Sequence, residues 1–273
     1  MTRVMNVVPG RGARIILAML PFILIAIIYV IGSAERRAAN PDDKLLPPVS
    51  EMVVTSKRLV AEPDRRSGDY VLWTDTAASL RRLALGLGIS ALAGLILGIA
   101  IGLLPVAGAG FGTLVAVLSM IPPMAVLPIL FIVFGLGELS KVVLIIVGIT
   151  PMLVRDISLE VAGMPREQLI KAQTLGASTW QVAIRVVLPQ IMPRLIKCLR
   201  LMIGPAFLFL ISAEAIAADA GLGYRIFLVR RYLSMDVILP YVAWITLLAY
   251  LLDLALSLIG RRAFPWAYEQ EAR

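Results

Sequence analysis

The sequence predicts an all-α, polytopic membrane protein with about six transmembrane helices. Composition and apolar run length carry this reading. The 273-residue chain is 59% hydrophobic, with a mean hydropathy of +0.88. Only 16% of its residues are charged, where a soluble domain has about a quarter, so much of its surface must face lipid. Several apolar runs reach the roughly 20 residues that a spanning helix needs.

Composition also excludes functions. There is no histidine, and Cys198 is the only cysteine, so His-based metal or acid–base chemistry and an intramolecular disulfide are absent. No catalytic residue and no metal site are expected. The net charge of +8 would raise nucleic-acid binding in a soluble protein. In a membrane protein it reads as basic residues flanking helices and facing anionic headgroups, so no nucleic-acid partner is expected.

The N-terminus, "MTRVMNVVPGRGARIILAMLPF", superficially resembles a signal peptide. Its apolar run is too long for one and no small-residue cleavage site is convincing, so it reads as a retained first helix. That first span covers about Ile15 to Gly32, behind Arg3, Arg11 and Arg14. A polar segment follows, residues 34–78. Pro47 and Pro48 precede Ser50, which could cap a short amphipathic helix carrying Met52, Val53 and Leu59.

Span two covers about Ala84 to Leu104 and holds Gly86, Gly88, Gly94, Gly98 and Gly102. Small residues four apart let helix backbones approach closely in lipid. Span three, about Thr113 to Phe134, contains Pro122, Pro123 and Pro128, which must kink or interrupt it. Freed carbonyls survive in a membrane only against protein or a wet cavity, which places this helix and its prolines on a translocation path. Span four covers about Leu139 to Val154, span five about Leu195 to Ala217, and span six about Ile238 to Ile259.

Six spans put both termini on one side. The Lys/Arg count that should choose the side divides the 26 cations into 13 and 13. Charge alone does not orient the chain.

The segment "PREQLIKAQTLGASTWQVAIRVVLPQ", 165–190, is polar and basic between two apolar runs. Pro165 suits a first helical turn. Leu169, Ile170, Ala172 and Leu175 form a partial apolar stripe. Gly176 suits the left-handed position that ends a helix. Ser178 with Gln181 forms a capping-box pattern that restarts one. Pro189 and Pro193 mark the return to the membrane. The expectation is a helix–turn–helix hairpin outside the lipid. Helices this short are marginal alone, so it either packs on a partner or lies on headgroups.

Gly176 followed by Val186-x-Leu188-Pro189 resembles the cytoplasmic "EAA" loop of bacterial ABC importer permeases, EAA-x3-G-x9-I-x-LP. "LLPPVSEM", "PPMAVLPILFIVFGLGELSKV" and "ISAEAIAADAGLGYRI" are similar to stretches of the subfamily for nitrate, sulfonate, taurine and related solutes. The likeness covers residues 45–262. One departure stands out: the family's Glu-Ala-Ala falls on Ile170-Lys171-Ala172, so the acidic residue is missing.

The resemblance implies a type I ABC importer permease fold. It implies an N-terminal helix with a periplasmic segment (1–78), a permease core (79–262) holding a cytoplasmic coupling loop (156–193), and a cytoplasmic tail (263–273). The chain has no G-x4-G-K-[ST], so it is not expected to be an enzyme. ATP and Mg would be bound by a separate ATPase, present in two copies. The further implied partners are a second permease copy, forming a homodimer, and a periplasmic solute-binding protein.

The ATPase-coupling residues implied are Leu169, Lys171, Ala172, Leu175, Gly176, Ala177, Ser178, Leu188 and Pro189. The implied location is the bacterial inner membrane, multi-pass, with both termini cytoplasmic. Pro122, Pro123, Pro128 and Glu214 are candidates for the path; Glu214 could equally order the "GLGY" turn. Asp253 reads as a helix–helix pairing residue, Glu138 with Lys141 as a loop-level pair, and Cys198 as an apolar filler. Glu214 and Asp253 lean against a strongly anionic solute.

Two other readings fit the sequence less well. A stand-alone secondary transporter or channel should show repeated broken helices, and only one span is proline-interrupted. A membrane anchor would leave that span and the hairpin unexplained.

Overall fold

The computed structural model describes residues 10–40, 43–64 and 68–269, apart from the side chains of Arg11 and Glu269. The expectations placed on Arg3, on Arg11 as a flanking charge and on the last four residues of the tail lie outside the described set. Among the described residues there is no β-strand. The helices are α1 (Arg11–Ala39), α2 (Val49–Ala61), α3 (Val71–Leu103), α4 (Pro105–Leu118), α5 (Pro123–Phe134), α6 (Glu138–Ala162), α7 (Arg166–Thr174), α8 (Thr179–Val182), α9 (Leu188–Ala217), α10 (Leu222–Arg230), α11 (Met235–Ala263) and α12 (Pro265–Glu269). A π-helical turn, Ala183–Val187, joins α8 to α9 without a break.

Five stretches are long and apolar enough to cross a membrane: α1, α3, α6, the α8–α9 run and α11. The pair α4 and α5, bent by 95°, makes a sixth, broken span. The break falls where the prolines require it. Pro122 is extended at the start of α5, and Pro123 occupies its first turn, where a missing N–H costs nothing.

The bundle is built around the pairing of α3 with α6. Gly86, Gly94, Gly98 and Gly102 lie against Ile145, Leu153, Ile157 and Val161. The offset is the same at every contact, so the two helices run parallel, with α4–α5 as the return between them. The approach leaves no room for a side chain. A Cβ on Gly98 would sit 2.6 Å from the Ile157 Cγ2, and one on Gly94 2.8 Å from the Leu153 Cβ. Ser90 is fully buried in the same stripe. Gly88, grouped with these by sequence, instead faces open space.

Leu144, Ile145, Ile149, Leu153 and Ile157 of α6 are wholly buried, so α6 is the central helix. Against it pack Ala206, Leu210 and Ala213 of α9, also wholly buried. At its far end a second cluster joins Ile157 and Val161 to Val182, Val187, Ile191 and Leu195. By contrast α1 stands away from the bundle. It is tied near its end by the Tyr29 Oη donating to the Pro47 carbonyl (2.6 Å) and the Ser33 Oγ donating to the Leu46 carbonyl (2.8 Å). Its remaining apolar side chains face outward, as a helix solvated by lipid requires.

Several spans run longer than their apolar runs predict. Span two begins at Val71 rather than Ala84, because Asp75, Ser79 and Arg82 are buried against partners and stay inside the helix. Span three begins at Pro105 rather than Thr113, as the separate helix α4. The second arm of the predicted hairpin is no separate helix: α8, the π-turn and α9 form one 39-residue run, Thr179–Ala217. The π-turn spends one extra residue and lets Pro189 and Pro193 lie within that run. The "GLGY" segment is more than a turn, since it opens helix α10.

The two ends of the bundle differ in chemistry. One gathers the starts of α3, α6 and α11 and the end of α9, with α2 and α10. The other gathers α7, α8 and α12.

Candidate functional site

The hairpin at the α7 end forms as its local sequence dictates. Gly176 takes φ +83°, the left-handed conformation that favours glycine. Its N–H donates to the Gln173 carbonyl (2.9 Å), and that of Ala177 to the Ala172 carbonyl (3.0 Å), closing α7. The Gln181 N–H donates to the Ser178 Oγ (3.3 Å) and the Ser178 N–H to the Gln181 Oε1 (2.8 Å). This reciprocal capping box starts α8. The Gln190 side-chain amide donates to the Gln168 Oε1 (3.0 Å), strapping α7 to α9.

The hairpin has two faces. Leu169, Ala172, Ala177 and Val186 turn inward onto the second core cluster, around the buried Val182 and Val187. Leu188 is half-buried. Lys171, Gly176, Ser178 and Pro189 are exposed, as are four apolar side chains: Ile170, Leu175 (87% exposed), Trp180 (73%) and Ile184. The structure thus brings the nine predicted coupling residues into one compact unit. Sequence reasoning passed over Trp180, although an aromatic residue two positions after a capping serine was a signal.

The opposite end holds a buried ion cluster. Arg82 of α3 is 4% exposed. Its Nη1 donates to the Glu214 Oε1 (2.6 Å) and to the Ala220 carbonyl (2.8 Å). Its Nε and Nη2 donate to the two oxygens of Glu138 (2.6 and 2.7 Å). The Lys141 Nζ donates to the same Glu138 carboxylate (2.9 Å). Three consecutive N–H groups at the start of α10 are captured by side chains: Gly221 by Asp75, Leu222 by Ser79 and Gly223 by Glu214, each at 2.9 Å. These are donors that a helix start leaves unsatisfied, and carboxylates are favoured there. Arg225 and Tyr241 close the set by donating to Asp75 (2.9 and 3.1 Å).

Glu214 is therefore wholly enclosed, ordering the "GLGY" start as well as pairing with Arg82. Gly221, at φ +138°, brings its backbone against that carboxylate, where a Cβ would lie 2.6 Å from the Glu214 Cδ. The pair Glu138–Lys141 is present and is extended by Arg82. Asp75, Ser79, Arg82, Arg225 and Tyr241 carried no role in the sequence reading, because only the fold brings them together.

Of the path candidates, Glu214 is thus part of the ion cluster, and the three prolines lie elsewhere. Pro122 and Pro128 are exposed, and Pro123 is half-buried where α5 crosses α6. At that crossing a Cβ on Gly148 would lie 2.5 Å from the Phe209 ring and 3.0 Å from the Pro123 Cγ. Phe207 and Phe209 are core. Asp253 pairs with Arg200 (2.8 and 2.9 Å) between α11 and α9. Cys198 does more than fill space, since its Sγ donates to the Asp156 Oδ2 (2.6 Å), which Arg194 also holds. Among the described residues no group of His, Cys, Asp or Glu could hold a metal.

Six apolar crossings, one broken by prolines, with a capped hairpin at one end, define a multi-pass membrane transport subunit. The profile of the family described as binding-protein-dependent transport system inner membrane component matches residues 90–265. The chain belongs to that family, the inner-membrane permeases of ABC importers. It is 36% identical over 221 residues to the taurine transport system permease protein TauC of Escherichia coli (strain K12), covering 81% of this chain and 80% of that one. It is 27% identical to the nitrate import permease protein NrtB of Leptolyngbya laminosa, covering 89% and 85%. It is 28% identical to the putative aliphatic sulfonates transport permease protein SsuC of Bacillus subtilis (strain 168), covering 93% and 88%. Among solved structures, the MetNI methionine ABC transporter in an inward-facing conformation matches with a TM-score of 0.58 at 20% identity, over 70% of this chain and 96% of that one. That likeness shows the fold.

Proposed function

We propose that this chain couples ATP hydrolysis on a separate ATPase to inward movement of a small solute, with the α7–α8 hairpin as the mechanical link. The observation that carries this is the exposure of three apolar side chains, Ile170, Leu175 and Trp180, on the capped hairpin. Exposed apolar side chains on a rigid, capped element are what a docking surface requires. Isoleucine stands where the family has glutamate, so the contact is apolar and aromatic where relatives would place an acid. ATP and Mg belong to the ATPase. One hairpin per chain fits a homodimer facing two ATPases, whose closure would rock the spans between two states.

The hairpin end is cytoplasmic in this reading, together with both termini, and the ion-cluster end is periplasmic, facing a solute-binding protein. Arg82, Lys141 and Arg225 were counted as free cations, yet each is paired with a carboxylate. Arg194 and Arg200 on the hairpin side are paired with carboxylates in the same way, so the orientation in this reading rests on the hairpin and not on charge.

The solute in this reading is small and bears an oxyanion, as the named cargoes of the similar permeases do. The sequence-based lean against an anion came from Glu214 and Asp253. Both are neutralised, by Arg82 and Arg200.

The test is purification of the full chain with its candidate ATPase in nanodiscs. Co-purification, with hydrolysis that rises when solute and binding protein are added, is the expected result. A chain that moves solute with no ATPase present would refute the proposal.

A further inference from the structure

The ion cluster contains an asymmetry. Arg82 and Lys141 are 4% and 3% exposed, so both cations are sequestered. Their shared counter-ion Glu138 is different, with half of its side chain exposed. Glu138 is also the first residue of α6, and it follows Gly135 (φ +75°) and Gly137, where the chain turns back from α5. It is therefore the member of the cluster best placed to leave.

The cations would not leave with it. The Arg82 Nη1 is fixed by Glu214 and by the Ala220 carbonyl (2.6 and 2.8 Å). Glu214 is itself held by the Ser79 hydroxyl (2.8 Å) and the Gly223 N–H (2.9 Å). The other edge of the guanidinium, Nε and Nη2, points at the Glu138 carboxylate as a two-pronged fork, with the Lys141 ammonium on the same oxygen as Nη2. Without Glu138, Arg82 and Lys141 would face Glu214 with one positive charge uncompensated. A buried uncompensated charge is costly, and a fork of this geometry accepts a planar or tetrahedral oxyanion in two parallel bonds.

We infer that the Glu138 carboxylate is an internal stand-in for an oxyanion, and that Arg82 and Lys141 form a binding subsite for the sulfonate, nitrate or carboxylate group of the solute when Glu138 swings away. The site lies at the end of the bundle that receives solute in the proposed function, and its assignment to cargo rests on that reading. Its chemistry stands on the cluster alone. The displacement is charge-neutral, one monoanion for another. This allows the cations to stay buried while the occupant changes, and it disfavours a purely cationic solute.

The test uses the full chain in nanodiscs with methanesulfonate as the probe. Glu138→Ala removes the stand-in and leaves space for the anion. Its unfolding temperature should fall, and methanesulfonate should restore it towards the wild-type value. Half-maximal stabilisation should need at least ten-fold less methanesulfonate than any effect on wild type. Sodium chloride at equal ionic strength should not substitute, and the rescue should vanish in Glu138→Ala/Lys141→Met. If Glu138→Ala folds only when purified in methanesulfonate, that dependence is the rescue itself. Equal stabilisation by chloride, rescue that survives Lys141→Met, or no rescue at all would overturn the inference. ATPase association is measured on the same preparations. Rescue without any ATPase partner would leave the subsite standing and remove the importer reading. Association without rescue would do the reverse.

Discussion

The Arg82 Nη1 lies 2.6 Å from the Glu214 Oε1, and the two side chains are 5% and 0% exposed. They come from the first half of α3 and the last turn of α9, so this one contact ties the entry of one span to the exit of another. Removing one partner of a buried pair strands the other charge and costs about 3–5 kcal/mol. Glu214→Ala should therefore lower unfolding stability by about that amount, read by thermal or denaturant unfolding in detergent. Arg82→Leu/Glu214→Leu should lose less than the two single changes added together, because the stranded charge is gone.

The glycine stripe of α3 gives a second expectation, with its own control. Gly98→Ala drives a methyl group to 2.6 Å from Ile157. Overpacking of this kind costs about 1–3 kcal/mol. Gly88→Ala lies on the same helix facing open space, and there the gain in helix propensity, about 0.5–1 kcal/mol, should dominate. Unfolding of both variants in the same detergent should give opposite signs.

At the hairpin, Gly176→Ala places a β-carbon at φ +83°, where the left-handed conformation costs about 1–2 kcal/mol. Ser178→Ala removes the cap of α8 and should cost about 1 kcal/mol. Both losses should be local. Hydrogen exchange would then rise in 166–187 while the α3–α6 core keeps its protection.

Trp180→Ala separates docking from folding. The side chain is 73% exposed, and surface changes of this sort alter stability by about 0.5 kcal/mol or less. A buried aromatic anchor at an interface is worth about 2 kcal/mol or more. Trp180→Ala should leave the unfolding temperature nearly unchanged and weaken ATPase association by at least ten-fold, measured by pull-down titration.

What the sequence disclosed divides along physical lines. Local chemistry was readable. Gly176, the Ser178–Gln181 box and the prolines at 122 and 123 each act within a few residues of themselves, and each does what its type implies. The stripe of Gly94, Gly98 and Gly102 was readable because helical periodicity places them on one face. The ion cluster was not. Asp75 and Arg225 are distant in sequence, as are Ser79 and Glu214, and each alone looks like a residue excluded from lipid. Hydropathy scores residues singly, whereas burial here depends on pairs, and this is why span two was placed 13 residues late at its start. The π-turn at Ala183–Val187 was hidden for a related reason: Pro189 signals a helix boundary unless an extra backbone residue upstream accommodates it.

The central claim is that the hairpin of α7 and α8 docks on an ATPase at the cytoplasmic face. Cys198 is buried and is the only native cysteine, so single introduced thiols can be followed cleanly. Leu175→Cys at the hairpin and Tyr232→Cys at the opposite end are compared in membrane vesicles holding the assembled complex, using a thiol-to-amine cross-linker. The account predicts that Leu175→Cys cross-links to the ATPase, that ATP changes the yield, and that Tyr232→Cys does not cross-link to it. An ATPase captured by Tyr232→Cys and not by Leu175→Cys would contradict both the docking site and the orientation.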